Sequence, residues 1–195
     1  MNFENLSGQK NEVPSTLALL ACEFPGRCLV VAELDRPIVL TQGTRLQLPE
    51  MSPETRERLE LSGVPEKVLD AIGSEAEAKI YEGANLEPAK INGKEALIRI
   101  DINYDQKDAM GTTNLDRMKA GRAPLDADGK PIELHHIGQK QDSPLAELTS
   151  VQHRGNGNDN VLHNKQKESE INREDFDKER KCYWKARAEQ IEHPC

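Results

Sequence analysis

Residues 131–139 read Pro-Ile-Glu-Leu-His-His-Ile-Gly-Gln, and the fold prediction starts from this stretch. Its first seven residues include Ile132, Leu134 and Ile137 and predict a β-strand. Leu145–Leu148 predicts the partner strand, and Thr149 or Ser150 then caps a short helix that Gly155 ends. The predicted unit is therefore strand, strand, helix, with two adjacent histidines near the end of the first strand.

Histidines are concentrated in this unit. Four of the five histidines of the chain lie between positions 135 and 163, namely His135, His136, His153 and His163. Neighbouring side chains of a strand point to opposite faces, so His135 and His136 are not expected to share one task. One can bind a metal ion while the other faces a substrate. Imidazole binds Zn²⁺, Cu, Fe and Ni well, and neutral histidine is an effective base near pH 7.

The segments on either side add a hairpin and helices. Asn92-Gly93, between Ala89–Ile91 and Glu95–Ile100, is a strong signal for a two-residue hairpin turn. Asn114–Ala120 predicts a short helix. Residues from about Arg173 to Ile191 predict one long charged helix that packs through one face. Strands and helices are therefore mixed along the chain, which predicts an α+β fold.

Residues 1–74 carry no recognisable functional motif. Short aliphatic stretches within residues 13–50, separated by glycine and proline, predict a small strand-rich region. Ser52-Pro53-Glu54 predicts a helix start, with serine as the N-cap and proline in the first turn. Two further short helices are expected, at Pro65–Ile72 and near Glu75–Tyr81.

Composition and charge exclude several classes of protein. The 195 residues carry a net charge of −8, from 26 basic and 34 acidic residues, which is unlike a generic polyanion-binding protein. Any contact with nucleic acid must therefore come from a local patch or be helped by a metal ion. The longest apolar run, Leu17–Cys22, is far shorter than the about 18 residues that cross a bilayer. The four cysteines form no C-x-x-C pair, which argues against a thiolate zinc site.

The residues around the histidines resemble a known nuclease family. In chain order they are Leu134–Gln139, Leu148-Thr149, His153–Gly155, Asn158 and His163. This string resembles the LHH branch of the HNH/endonuclease VII nucleases, which have the ββα-metal fold and occur as C-terminal domains of bacterial polymorphic toxins. The resemblance extends over about residues 75–190.

The resemblance implies a site for one divalent metal ion, with Mg²⁺, Mn²⁺, Ni²⁺ and Zn²⁺ as candidates. On the family motif, His135 corresponds to the first metal ligand and His153, on the short helix, to another. His163 is the expected third ligand, and Asn158 and Asn160 are the alternatives for that position.

The resemblance also implies catalytic roles. His136 corresponds to the general base that takes a proton from the attacking water, and its second ring nitrogen is expected to be held by a backbone carbonyl or amide. Arg154, next to a ligand, is a candidate for contact with the phosphate, whereas Glu133 is expected to face outward. Ser143-Pro144-Leu145 stands where the family usually has an asparagine that braces the loop carrying the base, so the bracing of that loop is open.

We therefore predict an α+β protein in two parts. Residues 1–74 form an N-terminal region of unknown role, and residues 75–195 form an LHH/HNH nuclease domain with its ββα-metal core at about residues 130–165. The predicted function is a metal-dependent endonuclease that hydrolyses phosphodiester bonds, with DNA favoured over RNA as the substrate. The alternatives are an RNase with the same site and a non-catalytic zinc-binding module. A nuclease and the zinc-binding module differ at His136. A structural zinc site closes with four ligands, whereas a catalytic site leaves this histidine unligated.

The expected biological role is that of a bacterial toxin or secreted effector. Such a toxin implies a cognate immunity protein, and the acid-rich surface favours a partner of basic or mixed charge. No membrane span is expected. The N-terminus does not resemble a secretory signal peptide. The expected route is therefore synthesis in the bacterial cytoplasm without a signal peptide. Delivery into the cytoplasm of a target cell would follow, by a secretion system or as part of a toxin.

Overall fold

The computed structural model describes residues 48–165 and 168–193. These residues belong to one compact unit. The strands predicted before residue 48 lie outside the described residues. The division of roles at residue 74 stays a prediction.

Helices and a small group of strands are mixed along the described residues, which confirms the α+β class. In chain order they are α1 (Pro53–Leu61), α2 (Glu66–Ala71), α3 (Glu75–Gly83), β1 (Leu86–Ile91), β2 (Lys94–Arg99), α4 (Asn114–Lys119), β3 (Glu133–His136), β4 (Leu145–Leu148), α5 (Ser150–Arg154), α6 (Asn158–Leu162) and α7 (Arg173–Glu192). A single 3₁₀ turn, Ile137–Gln139, follows β3. Within the two described ranges, every helix is too short or too polar to span a membrane.

Side-chain caps determine where several helices begin. In each case the N-cap side chain accepts a hydrogen bond from a backbone amide in the first turn, at Ser52, Ser74, Thr113 and Asn172. Such a cap satisfies a backbone donor that the helix itself cannot, and contributes about 1 kcal/mol. The helices predicted to begin at these points are confirmed.

The four strands form one sheet in the order β1-β2-β4-β3. The predicted hairpin between β1 and β2 is confirmed, and Asn92 and Gly93 have the positive φ angles, 49° and 79°, that a type I′ turn requires. β3 and β4 are antiparallel, with His135 opposite Ala146. A parallel pairing of β2 with β4, which the sequence patterns do not predict, joins the hairpin to the histidine strand.

Helices cover both faces of the sheet, and each layer has its own core. On one face α1, α2, α3 and α6 pack on the sheet through side chains that include Ala146 and Leu148 of β4. On the other face α4 and α7 pack through a core that includes Trp184 of α7 and Leu134 of β3. β3 is therefore an edge strand whose two sides face different helical layers.

The turn after β3 requires a glycine. Gly138 has a φ of 76°, and a Cβ at this position would lie 2.7 Å from the backbone oxygen of Ala71 in α2. A side chain here would clash with backbone and would also disfavour the left-handed conformation. This close approach holds the end of β3 against α2.

Candidate metal centre

β3 presents its two adjacent histidines to opposite faces of the sheet. The ring centroid of His135 lies 6.5 Å from that of Tyr81 in α3. The ring centroid of His136 lies 4.6 Å from that of Phe176 in α7. Both histidines are buried. The alternation of a strand therefore gives the two rings separate surroundings.

Three imidazoles meet on the His135 side. Nδ1 of His135 lies 3.2 Å from Nε2 of His153, which in turn lies 3.2 Å from Nε2 of His163. The three ligand atoms all lie within 4.8 Å of one another, and over residues 48–165 and 168–193 these histidines are the one group with such geometry. The structure thus brings together the three residues that the resemblance assigns as metal ligands.

Short helices after β4 bring His153 and His163 to β3. The side chain of Thr149 and that of Gln152 each accept a hydrogen bond from the other's backbone amide, a reciprocal capping box that starts α5 directly after the strand. His153 lies within α5. His163 follows α6, which the sequence patterns do not predict and which begins after Gly157 in the left-handed conformation.

A carboxylate holds the outer nitrogen of two of these rings. Oε2 of Glu133 lies 2.6 Å from Nδ1 of His153, and Oδ1 of Asp159 lies 2.9 Å from Nδ1 of His163. An ionised carboxylate only accepts hydrogen bonds, so Nδ1 of each ring carries a hydrogen, and in the neutral ring Nε2 carries the lone pair. Histidines that bind metal ions commonly donate their other N–H to a carboxylate in this way.

The arrangement of lone pairs fits a cation. Nε2 of His153 and Nε2 of His163 are 3.2 Å apart, and neither has a hydrogen to donate to the other. Two lone pairs at this distance repel unless positive charge lies between them. For comparison, two nitrogen ligands of a tetrahedral Zn²⁺ with bonds of about 2.0–2.1 Å are about 3.3 Å apart. The donor set therefore fits a divalent transition-metal ion.

Burial favours the neutral form of the rings. It lowers the pKa of His135 well below its ordinary value, and the neighbouring His153 and His163 lower it further. Burial also lowers the pKa of His153 and outweighs the opposing hydrogen bond with Glu133. Neutral imidazole is the form that binds metal ions, so both rings are ready to act as ligands at neutral pH.

His136 lies apart from the three imidazoles, and its contacts come from α7. Nε2 of His136 lies 2.9 Å from Oε2 of Glu179, which is 43 residues later in the chain. Within the described ranges, Nδ1 of His136 has no hydrogen-bond partner. The expectation of a backbone partner is therefore wrong: a carboxylate of the long helix holds the ring, because this side of β3 packs against α7.

The remaining candidate residues lie outside the group of three histidines. The side-chain amide of Asn158 donates to the backbone oxygen of Gln152 at 2.8 Å and ties α6 to α5. Asn160 is exposed on α6. Arg154 is exposed, and its Nε donates to Oε2 of Glu133 at 3.0 Å. Glu133 does not face outward as expected but is partly buried and connects Arg154 to the histidine group.

The loop between β3 and β4 is braced without the usual asparagine. The hydroxyl of Ser143 donates to the backbone oxygen of Lys140 at 2.7 Å. Nζ of Lys94, from the start of β2, donates to the backbone oxygen of Gln141 at 2.9 Å. These contacts hold the loop that follows His136.

A cleft of about 470 Å³ lies along β3. Its two sides come from α5 and α7, with His153 and Arg154 on one side and Phe176, Arg180 and Lys181 on the other. Acidic residues also line the cleft, so its charge is mixed rather than uniformly basic. A molecule in this cleft lies against His153 of α5 and Phe176 of α7. It is therefore close to the histidine group and to Phe176, which covers His136.

Sequence reasoning missed the carboxylates around the histidines, although two of them have a local signal. Asp159 precedes His163 by four residues, a spacing at which helical side chains meet. Glu133 precedes His135 by two residues and therefore shares its face of the strand. Glu179 has no such signal, because it is one of several acidic residues on α7.

A known protein family matches the part of the chain that contains this site. Residues 113–190 match the family model LHH, described as a nuclease of the HNH/ENDO VII superfamily with conserved LHH. The matched segment contains all four histidines described above. It confirms the resemblance that the sequence string indicates. No solved structure matches the chain.

Proposed function

We propose that the protein is a metal-dependent endonuclease that hydrolyses phosphodiester bonds in DNA, because residues 113–190 match the LHH model of the HNH/ENDO VII nucleases. One observation carries the proposal: three imidazoles converge on one side of β3 while His136 is held apart from them. A structural zinc site would close with a fourth ligand, whereas a catalytic site keeps a position open. The separation of His136 supports the catalytic alternative.

His135, His153 and His163 would hold the divalent cation. The bound cation supplies positive charge that stabilises the scissile phosphate and the departing 3′ oxygen. Glu133 and Asp159 orient two of the three rings. Mg²⁺, Mn²⁺, Ni²⁺ and Zn²⁺ are the candidates, and an all-imidazole donor set favours Ni²⁺ or Zn²⁺.

His136 acts on the attacking water in this proposal. The water oxygen forms a bond to phosphorus, the bond from phosphorus to the 3′ oxygen breaks, and the proton of the water moves to Nδ1 of His136. Arg154, exposed at the cleft beside His153, contacts the phosphate. The cleft along β3 is the proposed path of the nucleic acid strand.

Plasmid nicking tests the proposal directly. Purified protein is incubated with supercoiled plasmid and, separately, with RNA, in the presence of Mg²⁺, Mn²⁺, Ni²⁺, Zn²⁺ or EDTA. We expect nicking that requires a metal ion and is lost in His136→Ala. The matched control is His193→Ala, which changes the one histidine outside the site, an exposed residue next to α7. Cleavage of RNA alone would assign the RNase alternative, and no cleavage with any metal ion would favour the zinc module.

We further infer a role as a bacterial toxin or secreted effector, with delivery to a target cell and a cognate immunity protein in the producer. The support is the likeness of about residues 75–190 to the C-terminal domains of polymorphic toxins. Regulated expression in bacteria that lack the immunity protein is the test. We expect wild-type protein to arrest growth and degrade DNA while His136→Ala is tolerated. Equal growth with both proteins would contradict the toxin role.

A further inference from the structure

The contact between His136 and α7 plays no part in the mechanism above, yet it determines which ring nitrogen carries a hydrogen. The side chain of His136 is fully buried, and Nε2 lies 2.9 Å from Oε2 of Glu179. Burial tends to raise the pKa of Glu179, but the hydrogen bonds from His136 and Lys94 outweigh it, and the pKa lies below its ordinary value. The carboxylate is thus ionised at neutral pH and can only accept hydrogen bonds. Nε2 of His136 therefore carries a ring hydrogen, and in the neutral ring Nδ1 carries the lone pair.

Glu179 is itself held from a second side. Nζ of Lys94 forms an ion pair with Oε1 of Glu179 and donates to the backbone oxygen of Gln141 at 2.9 Å. Lys94 begins β2, and Gln141 lies in the loop that follows β3. The carboxylate is therefore fixed between the hairpin, the loop and β3, and it does not depend on the position of α7 alone.

The ring of His136 is also restrained by packing. Phe176, three residues before Glu179 on α7, lies with its ring centroid 4.6 Å from that of His136 and its plane inclined by 58°. A ring with a hydrogen bond at Nε2 and an aromatic side chain against it has one preferred orientation. Its Nδ1 is buried and has no hydrogen-bond partner within residues 48–165 and 168–193. This nitrogen is the acceptor that a general base needs.

We propose that Glu179 is a positioning residue for His136. Its carboxylate holds the imidazole as the Nε2–H tautomer and directs the Nδ1 lone pair to the water that attacks the phosphodiester. When the proton of that water moves to Nδ1, the negative charge of Glu179 stabilises the imidazolium that forms, as carboxylates do for other catalytic histidines. This inference rests on the proposed nuclease function.

Glu179→Gln tests the kinetic part of the inference. Glutamine keeps the size of the side chain but removes the charge and no longer selects one tautomer. We expect kcat for plasmid nicking to fall about 100-fold or more, with KM for plasmid unchanged. Glu179→Asp, which keeps the charge, should retain more activity than Glu179→Gln. The matched control is Glu189→Gln, an exposed carboxylate on the same helix, which should match the wild type. A kcat for Glu179→Gln close to that of wild type would overturn the inference.

The tautomer of His136 gives a readout that does not depend on activity. Ring ¹⁵N spectra of the full-length protein distinguish a nitrogen with hydrogen from one with a lone pair, and His136→Ala identifies the signal. We expect wild type to show hydrogen on Nε2 and Glu179→Gln to show a mixture of tautomers. Hydrogen on Nδ1 in the wild type would overturn the inference. If the wild type cuts neither DNA nor RNA, the proposed function fails, and these spectra still decide whether Glu179 selects the tautomer.

Discussion

The two adjacent histidines of β3 have the same backbone conformation but different neighbours. His135 faces two further imidazoles, and a carboxylate lies behind each of those, at Glu133 and Asp159. His136 faces a single carboxylate, Glu179, which itself is paired with a lysine. On one face three ring nitrogens converge, whereas on the other Nδ1 of His136 has no hydrogen-bond partner within the described residues. Under the proposed function, these neighbours, rather than the residue type, let one face bind a cation and the other accept a proton.

The difference between the faces follows from the sheet. β3 is the edge strand, and its two sides pack against separate helical layers. Short helices directly after β4 supply the other imidazoles to one side, and the long C-terminal helix supplies Glu179 to the other. A substrate in the cleft along β3 lies next to both sides. One strand can therefore combine a metal site and a base without placing them in contact.

Changing each histidine of β3 to alanine is the strongest test of this comparison. His135→Ala removes a ring nitrogen from the group, and we expect affinity for Zn²⁺ or Ni²⁺ to fall by more than about 100-fold, since losing even an outer partner of a ligand costs about 10–100-fold. His136→Ala should leave this affinity unchanged while DNA cleavage falls by about 10²–10⁴-fold. Titration calorimetry with each metal and plasmid nicking provide the two measurements. A comparable loss of metal affinity in both variants would place His136 in the metal site and break the comparison.

The carboxylates that contact the histidine rings on the two sides of β3 allow a finer test. Glu133→Gln removes the charged acceptor at Nδ1 of His153, and we expect affinity for Zn²⁺ to fall by about 10–100-fold. Glu179→Gln, on the other face, should leave the affinity for Zn²⁺ unchanged. The same calorimetric titration measures both, with Glu189→Gln as the control for loss of one negative charge. An equal decrease for Glu133→Gln and Glu179→Gln would mean that the variants act through overall charge and not through the ring they contact.

Local chemistry made much of the fold predictable. The serine cap at Ser52, the Asn92-Gly93 turn and the capping of α5 at Thr149 each act over a few residues, and each element lies where the pattern predicts it. The strand pair around the histidines was also predictable, because two short stretches that contain aliphatic residues, Pro131–Ile137 and Leu145–Leu148, are bounded by turn signals. The caps and the hairpin turn depend on backbone hydrogen bonds over a few neighbouring residues. The residue types that favour them can therefore be read from the sequence.

Features that depend on packing between distant segments could not be predicted. The parallel pairing of β2 with β4 joins residues about 50 positions apart, such as Ala96 and Leu145, and no local pattern encodes it. α6 was missed because the glycine and asparagine residues before and at its start, Gly155–Asn158, favour a loop. For the site, the motif indicated the histidines, but the contact of Glu179 with His136 depends on how α7 packs.

The last prediction concerns stability and the contacts that attach α7 to the side of the sheet that His136 faces. Its expected effect is the smallest. Glu147 on β4 is fully buried and accepts hydrogen bonds from the hydroxyl of Tyr183 and the backbone amide of Arg99, each at 2.8 Å. Burial raises the pKa of Glu147 above its ordinary value of 4.5, although Arg187 and these hydrogen bonds oppose the shift. The folded protein therefore binds a proton at Glu147 more readily than the unfolded chain does.

This shift gives stability a defined pH dependence. A carboxyl group with a raised pKa in the folded state contributes stability that is full below its unfolded pKa and is lost as pH rises through the folded pKa. We expect the free energy of unfolding of wild type, relative to Glu147→Gln, to decrease as pH rises above 4.5. Urea unfolding of both proteins over this range measures the difference, and contributions from the histidines cancel because both proteins carry them. A difference that grows with pH would mean that Arg187 holds Glu147 mainly as an ion. The attachment of α7, and with it the position of Glu179, would then depend on that charge.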